Sequence, residues 1–114
     1  MNINWDILAR QLHDTAEKKG FWEPFDRMDK QDEFVFFAKQ IAMIHSEATE
    51  VLEALRKDKG EEAVVEELAD IIIRTFDLWA GLEKRGVVTS SLDQVMIKKM
   101  NINVERPRLH GVKG

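Results

Sequence analysis

The chain contains no cysteine, which excludes both a disulfide framework and a thiolate metal site. Proline occurs only at positions 24 and 107, so the long stretch between them is free to form uninterrupted helices. No apolar run approaches the ~20 residues that span a bilayer. The start, Met1-Asn2-Ile3-Asn4-Trp5-Asp6, lacks the basic residues and apolar stretch of a signal peptide. A cytoplasmic protein without a membrane partner is therefore expected. Basic charge is not in excess: the formal net charge is −4, which argues against a general nucleic-acid binder. Strand patterning is also missing. Phe34-Val35-Phe36-Phe37 and Ile71-Ile72-Ile73 lie within longer helical periodicities, and there is no internal repeat or low-complexity tract.

The chain does offer a helix-rich composition on a short length. Its 114 residues, 44% hydrophobic and 33% charged, suit one domain spanning 1–114 with a modest core. The charge is uneven. Lys98, Lys99, Arg106, Arg108 and Lys113 are opposed in the last stretch only by Glu105, which gives an acidic body with a basic tail.

Breakers and caps divide the chain into four predicted helices. The first runs from about Asn4 to Lys19 with the apolar stripe Trp5, Leu8, Leu12 and Ala16, and Gly20 stops it. A loop with Phe21, Trp22, Pro24 and Phe25 follows. The second runs from about Lys30 to Lys59, carries Phe34, Phe37, Ile41, Ile44, Ala48, Val51 and Leu55, and is closed by Gly60. The third runs from Glu61 or Glu62 to about Lys84. Its apolar residues cover more than one face, so it must be buried on several sides. A monomer of four helices can hardly provide that cover, and an oligomer centred on this helix is expected, a dimer being the minimum. The fourth opens with a capping box, Ser90 with Asp93 or Ser91 with Gln94, and ends before Pro107. The fold class is all-α.

Two acid pairs, Glu47 with Glu50 and Glu67 with Asp70, carry the chemistry. Each has i, i+3 spacing inside a predicted helix, so its members lie about 4.5 Å apart along the axis on one side. Solvated helix acids commonly have a Lys or Arg three or four residues away; Glu47, Glu50 and Glu67 have none, whereas Asp70 has Arg74. These acids also flank apolar stripes, and partly buried charge is costly without a counter-ion. Four carboxylates around one volume repel one another unless a hard divalent cation, usually Mg²⁺, sits among them. The natural partner of such a cation is a polyphosphate.

Ser46-Glu47-Ala48-Thr49-Glu50, followed by Glu66-Glu67-Leu68-Ala69-Asp70, resembles the ExxE…ExxD metal signature of the MazG-like, all-α nucleoside triphosphate pyrophosphatases. Lys99, Asn103, Arg106-Pro107 and His110-Gly111 are similar to the C-terminal motif of one small subgroup. The resemblance runs from about Phe34 to the end. Ser46 stands where many relatives have Glu, and Val112 separates Gly111 from Lys113 where the usual tail reads HGK. The resemblance implies a four-helix MazG-like bundle, oligomeric as a homodimer or homotetramer. It also implies Mg²⁺-dependent hydrolysis of NTP or dNTP between the α- and β-phosphates. In that reading Glu47, Glu50, Glu67 and Asp70 hold the metal, and Glu47 or Glu50 orients or deprotonates the water. Lys99, Arg106 and Lys113 meet phosphate, Asn103 meets phosphate, ribose or base, and His110 touches substrate or fixes the tail. Alternatives are a relative on the same scaffold specific for dUTP, dCTP or phosphoribosyl-ATP, and a non-catalytic helical interaction module.

The remaining residues have plainer expectations. Trp22 either stacks on a base or anchors its loop on the core. Phe21, Trp5 and Trp79 are assigned to the core, and His13 and His45 to ordinary core or surface positions. Arg74 is expected to pair with Asp70, or else to meet phosphate.

Overall fold

Helix ends are set by local chemistry, and in this chain the first and last helices begin at caps written in the sequence. The computed structural model describes residues 4–108 and contains five helices and no strand among them: α1 (Trp5–Lys18), α2 (Glu23–Asp26), α3 (Lys30–Arg56), α4 (Glu61–Lys84) and α5 (Leu92–Glu105). The all-α expectation holds. No helix among the described residues is long and apolar enough to cross a membrane.

Asn4 caps α1, its Oδ1 accepting the Ile7 amide at 3.0 Å. Gly20 ends it: with φ at +84° it takes the left-handed position, and the Phe21 and Gly20 amides return to the Ala16 and Glu17 carbonyls at 3.1 and 2.9 Å. The aromatic loop that follows is not loop throughout. Pro24 stands in the first turn of a four-residue helix, α2, where its missing N–H costs nothing.

Two predicted boundaries move. The second predicted helix stops at Arg56 instead of Lys59, because Asp58 adopts φ +50° and the Lys59 amide closes on the Ala54 carbonyl at 3.0 Å. Gly60 consequently precedes α4 as its N-cap and does not terminate α3. Of the two proposed capping boxes for the last helix, Ser91 is the residue used, accepting the Gln94 amide at 3.3 Å.

The N-termini of α1 and α5 cap one another. Asp93 accepts the Trp5 amide at 2.7 Å, while Asp6 accepts the Asp93 amide at 2.9 Å and the Ser91 hydroxyl at 2.7 Å. Each carboxylate thus satisfies a donor that the other helix leaves open.

α4 is the central element, packing on α1 along one side and on α3 along another. The short α3–α4 connection makes these two helices antiparallel. The core is aromatic: Trp22, Phe25 and Phe36 pack with Ala16, and Met28, Phe37 and Leu78 close around them. Gly81 lets α4 approach this core, since a Cβ there would collide with the six-membered ring of Trp22. Phe21 is not in the core; it is 66% exposed, because the turn that buries Trp22 sends its neighbour outward. The apolar side chains of Ile41, Leu52, Leu55, Val65, Leu68 and Ile72 on α3 and α4 are exposed as well.

Candidate functional site

The antiparallel α3–α4 pair brings residues on either side of the connection face to face. One ligand oxygen each from Glu47 and Glu50 on α3 and Glu67 on α4 lies within 4.8 Å of the others. The i, i+3 spacing of Glu47 and Glu50 is what aims both at the same point on the facing helix. Asp70 is exposed and is not within that distance of all three; it lines the cavity next to the group. Three of the four expected acids therefore converge, and the fourth stands at the rim.

The charges in this group are unequal. Arg74 Nε donates to Glu47 Oε1 at 2.8 Å. This guanidinium comes from α4, and it corrects both the expected Arg74–Asp70 pairing and the reading of Glu47 as uncompensated. Arg74 holds the Glu47 carboxyl below its usual range, against the opposing effect of burial. Glu50 is pushed the other way, chiefly by Glu47 and then by Glu67. Like charges at this separation disfavour full ionisation of all three.

Two oxygens decide what the group can hold. Glu47 Oε2 and Glu67 Oε2 are cut off from solvent and have no hydrogen-bond partner among the described residues. Buried carboxylate oxygens in that condition are costly, and a cation among them removes the cost. The donor set is all oxygen and anionic, which suits a hard divalent ion such as Mg²⁺ and does not suit a soft one.

A cavity of about 370 Å³ adjoins the group, between α1 and α4, in the size range of small-ligand sites. Its walls combine Leu12, Ala16, Phe21 and Ile73 with the charged Glu47, Asp70, Arg74, Asp77 and Lys19. Behind it lies a buried polar network invisible to local sequence spacing. Asp77 Oδ1 accepts from Trp22 Nε1 at 2.9 Å and from His13 Nδ1 at 2.8 Å. The other ring nitrogen of His13 faces Glu17 at 2.6 Å and Arg85 at 3.0 Å. Arg85 in turn forks onto Asp26 and lies 4.4 Å from the Trp22 ring centre. Lys84, the dominant partner of Glu17, lowers that carboxyl to about 2.

The other predicted contacts fare unevenly. Trp22 is 2% exposed, so of its two expected roles it takes the structural one: it anchors its loop and offers no face on which a base could stack. The exposed aromatic at the cavity is Phe21. His13 is a buried core histidine, and His45 is exposed on α3. Lys99 and Asn103 are exposed on α5 and Arg106 just past its end; among the described residues no ion pair joins Lys99 or Arg106 to the acidic group. His110 and Lys113 lie outside the described residues. The network around Asp77 joins residues 55–72 positions apart, so no local spacing reveals it; of its members only Trp22 and His13 stand out in the sequence, and neither points to Asp77.

Comparisons with protein-family models, with curated proteins and with solved structures found no match to this chain.

Proposed function

We propose that this protein is a Mg²⁺-dependent nucleoside triphosphate pyrophosphohydrolase with a MazG-like bundle, acting on NTP or dNTP to yield a nucleoside monophosphate and pyrophosphate. One observation carries the reading: the partnerless buried oxygens Glu47 Oε2 and Glu67 Oε2, gathered with Glu50 at the edge of a cavity that also holds Arg74. Anionic oxygens that need a cation, next to a hollow whose wall also carries Arg74 and Lys19, fit a metal–polyphosphate ligand better than any neutral one.

Glu47, Glu50 and Glu67 would hold the ion, with Asp70 at the rim. Bound there, Mg²⁺ supplies countercharge for the triphosphate and acidifies water. The protein's own contribution is electrostatic and positional. Arg74 keeps Glu47 ionised and presents a guanidinium suited to phosphate oxygens. Lys19 adds a second cation at the cavity. Glu47 or Glu50 receives the proton of the attacking water as one water is added across the α–β anhydride. The buried aromatic core fixes α1 against α4, so these groups are held before substrate arrives.

A second copy belongs to this reading. The exposed apolar residues of α3 and α4 need cover. The radius of gyration of 16.4 Å exceeds the ~13 Å of a compact chain of this length. A homodimer, or a homotetramer built from it, supplies that cover.

Incubation with a panel of NTPs and dNTPs plus Mg²⁺ should release pyrophosphate and the matching monophosphate. Pyrophosphate absent across the whole panel, together with no Mg²⁺ binding by calorimetry, overturns the proposal in favour of a helical interaction module.

A further inference from the structure

The cavity has a direction. Along α4 the residues 67, 70, 74 and 77 recur on one face, and Asp77 lies about 10 Å beyond Asp70 along the axis. The polyphosphate end of a nucleotide belongs with the acidic group and Arg74. Whatever the nucleotide carries at its other end then arrives at Asp77, flanked by the apolar Leu12, Ala16 and Ile73.

Asp77 is built to present one atom. Its side chain is 15% exposed. Oδ1 is committed twice, to the indole N–H of Trp22 at 2.9 Å and to His13 Nδ1 at 2.8 Å. Because a carboxylate only accepts, both nitrogens act as donors, and together they lock the rotamer. Trp22 and His13 are themselves buried to within 2%, so the lock is rigid. Oδ2 has no hydrogen-bond partner among the described residues, yet unlike the Glu47 and Glu67 oxygens it is not sealed from solvent. The cavity therefore offers a fixed acceptor set among apolar walls, which is how ligand sites obtain orientation and specificity.

We propose that Asp77 is a specificity residue that selects nucleotides whose base bears an exocyclic amino group and rejects uracil and thymine. The proposal rests on the nucleotide reading above. An amino group donates to the carboxylate. Uracil places a carbonyl oxygen at the position where cytosine has its amino group, and two acceptors then face each other with neither satisfied. Trp22 and His13 are positioning residues: they touch Asp77, not the base.

The test uses dCMP and dUMP, which differ at that one substituent, and measures their equilibrium binding to the whole protein without metal. This readout does not depend on turnover. The wild type should bind dCMP on the order of 10–100-fold more tightly than dUMP, the range of one hydrogen bond to a charged group. Asp77→Asn retains an oxygen for Trp22 and His13 and turns an amide donor toward the cavity, so the preference should level or invert. The same inversion should appear in the dCTP:dUTP ratio of kcat/KM, a ratio that a general loss of activity leaves unmoved. Equal binding of dCMP and dUMP by the wild type, or an unchanged ratio in Asp77→Asn, overturns the proposal. Discrimination in binding with no hydrolysis of any triphosphate would sustain it while removing the pyrophosphohydrolase reading.

Discussion

Arg74 on α4 reaches across to α3 and donates to Glu47 Oε1 at 2.8 Å, while Oε2 of the same carboxylate has no partner among the described residues. One side chain is thus neutralised on one edge and open on the other. The pair keeps Glu47 ionised in a partly buried position, where it is 12% exposed, without filling the place a divalent ion would take.

Removing that guanidinium should separate stability from metal binding. In Arg74→Met, the metal-free protein should lose about 1–3 kcal/mol, since Glu47 is left partly buried without its donor. Mg²⁺ binds more tightly because its positive competitor is gone, and hydrolysis slows at least ~10-fold because a phosphate donor is lost. Weaker Mg²⁺ binding in this variant, measured by calorimetry, would show that Arg74 supports the ion and does not compete with it.

Glu50 gives the opposite behaviour. Its carboxyl is raised by Glu47 and Glu67, so at neutral pH its charge works against the folded state. Glu50→Gln should melt at a higher temperature than wild type in a chelator. It should also lose the rise in melting temperature expected from Mg²⁺ in the wild type. If the Mg²⁺-induced rise survives, Glu50 is not a ligand.

Gly81 tests the packing beneath the cavity. Alanine is the better helix former by about 1 kcal/mol, yet its Cβ would strike the Trp22 ring. Overpacking of this kind costs typically 1–3 kcal/mol, so Gly81→Ala should be net destabilising in urea titration. A neutral or stabilising result would mean that the Trp22 side chain can withdraw from α4.

Acid should loosen the α1–α4 contact in a defined window. Lys84 first, and then His13, bring Glu17 from 4.5 down to about 2. A depressed carboxylate adds stability that is complete above the ordinary value and fades as pH falls toward the lowered one. The loss therefore runs from about pH 4.5 to 2 and amounts to on the order of 2 kcal/mol. Asp26 and Glu83 are shifted in the same direction by Arg85 and Arg10. Melting temperature followed from pH 6 downward should fall less steeply in Glu17→Gln; parallel curves would refute the assignment.

Long-period features were legible in the sequence. The 3.6-residue stripes and the glycine and serine boundaries located α1, α3, α4 and α5 to within a few residues. The acids Glu47, Glu50 and Glu67 on α3 and α4 were legible too, because one helix hairpin brings them together; the same spacing did not show that Asp70 stands apart from them. A four-residue helix has too little periodicity to register, which is why α2 read as loop. Partnerships between distant residues were also hidden. Nothing near Glu47 in sequence identifies Arg74, and nothing near Trp22 identifies Asp77. Aromatic content alone could not tell that Trp22 turns inward and Phe21 outward, since that depends on the left-handed turn at Gly20.

The burial of Trp22 also makes the molecule its own reporter. Of the three tryptophans, Trp5 and Trp79 are half-buried, whereas Trp22 is enclosed and tied through its indole N–H to the carboxylate at the far end of the cavity. Its emission should be the blue-shifted share of the intrinsic fluorescence, because its ring is shielded from water. Any occupant that engages Asp77 must alter the electric field at that indole, so filling of the cavity can be followed optically with no label attached.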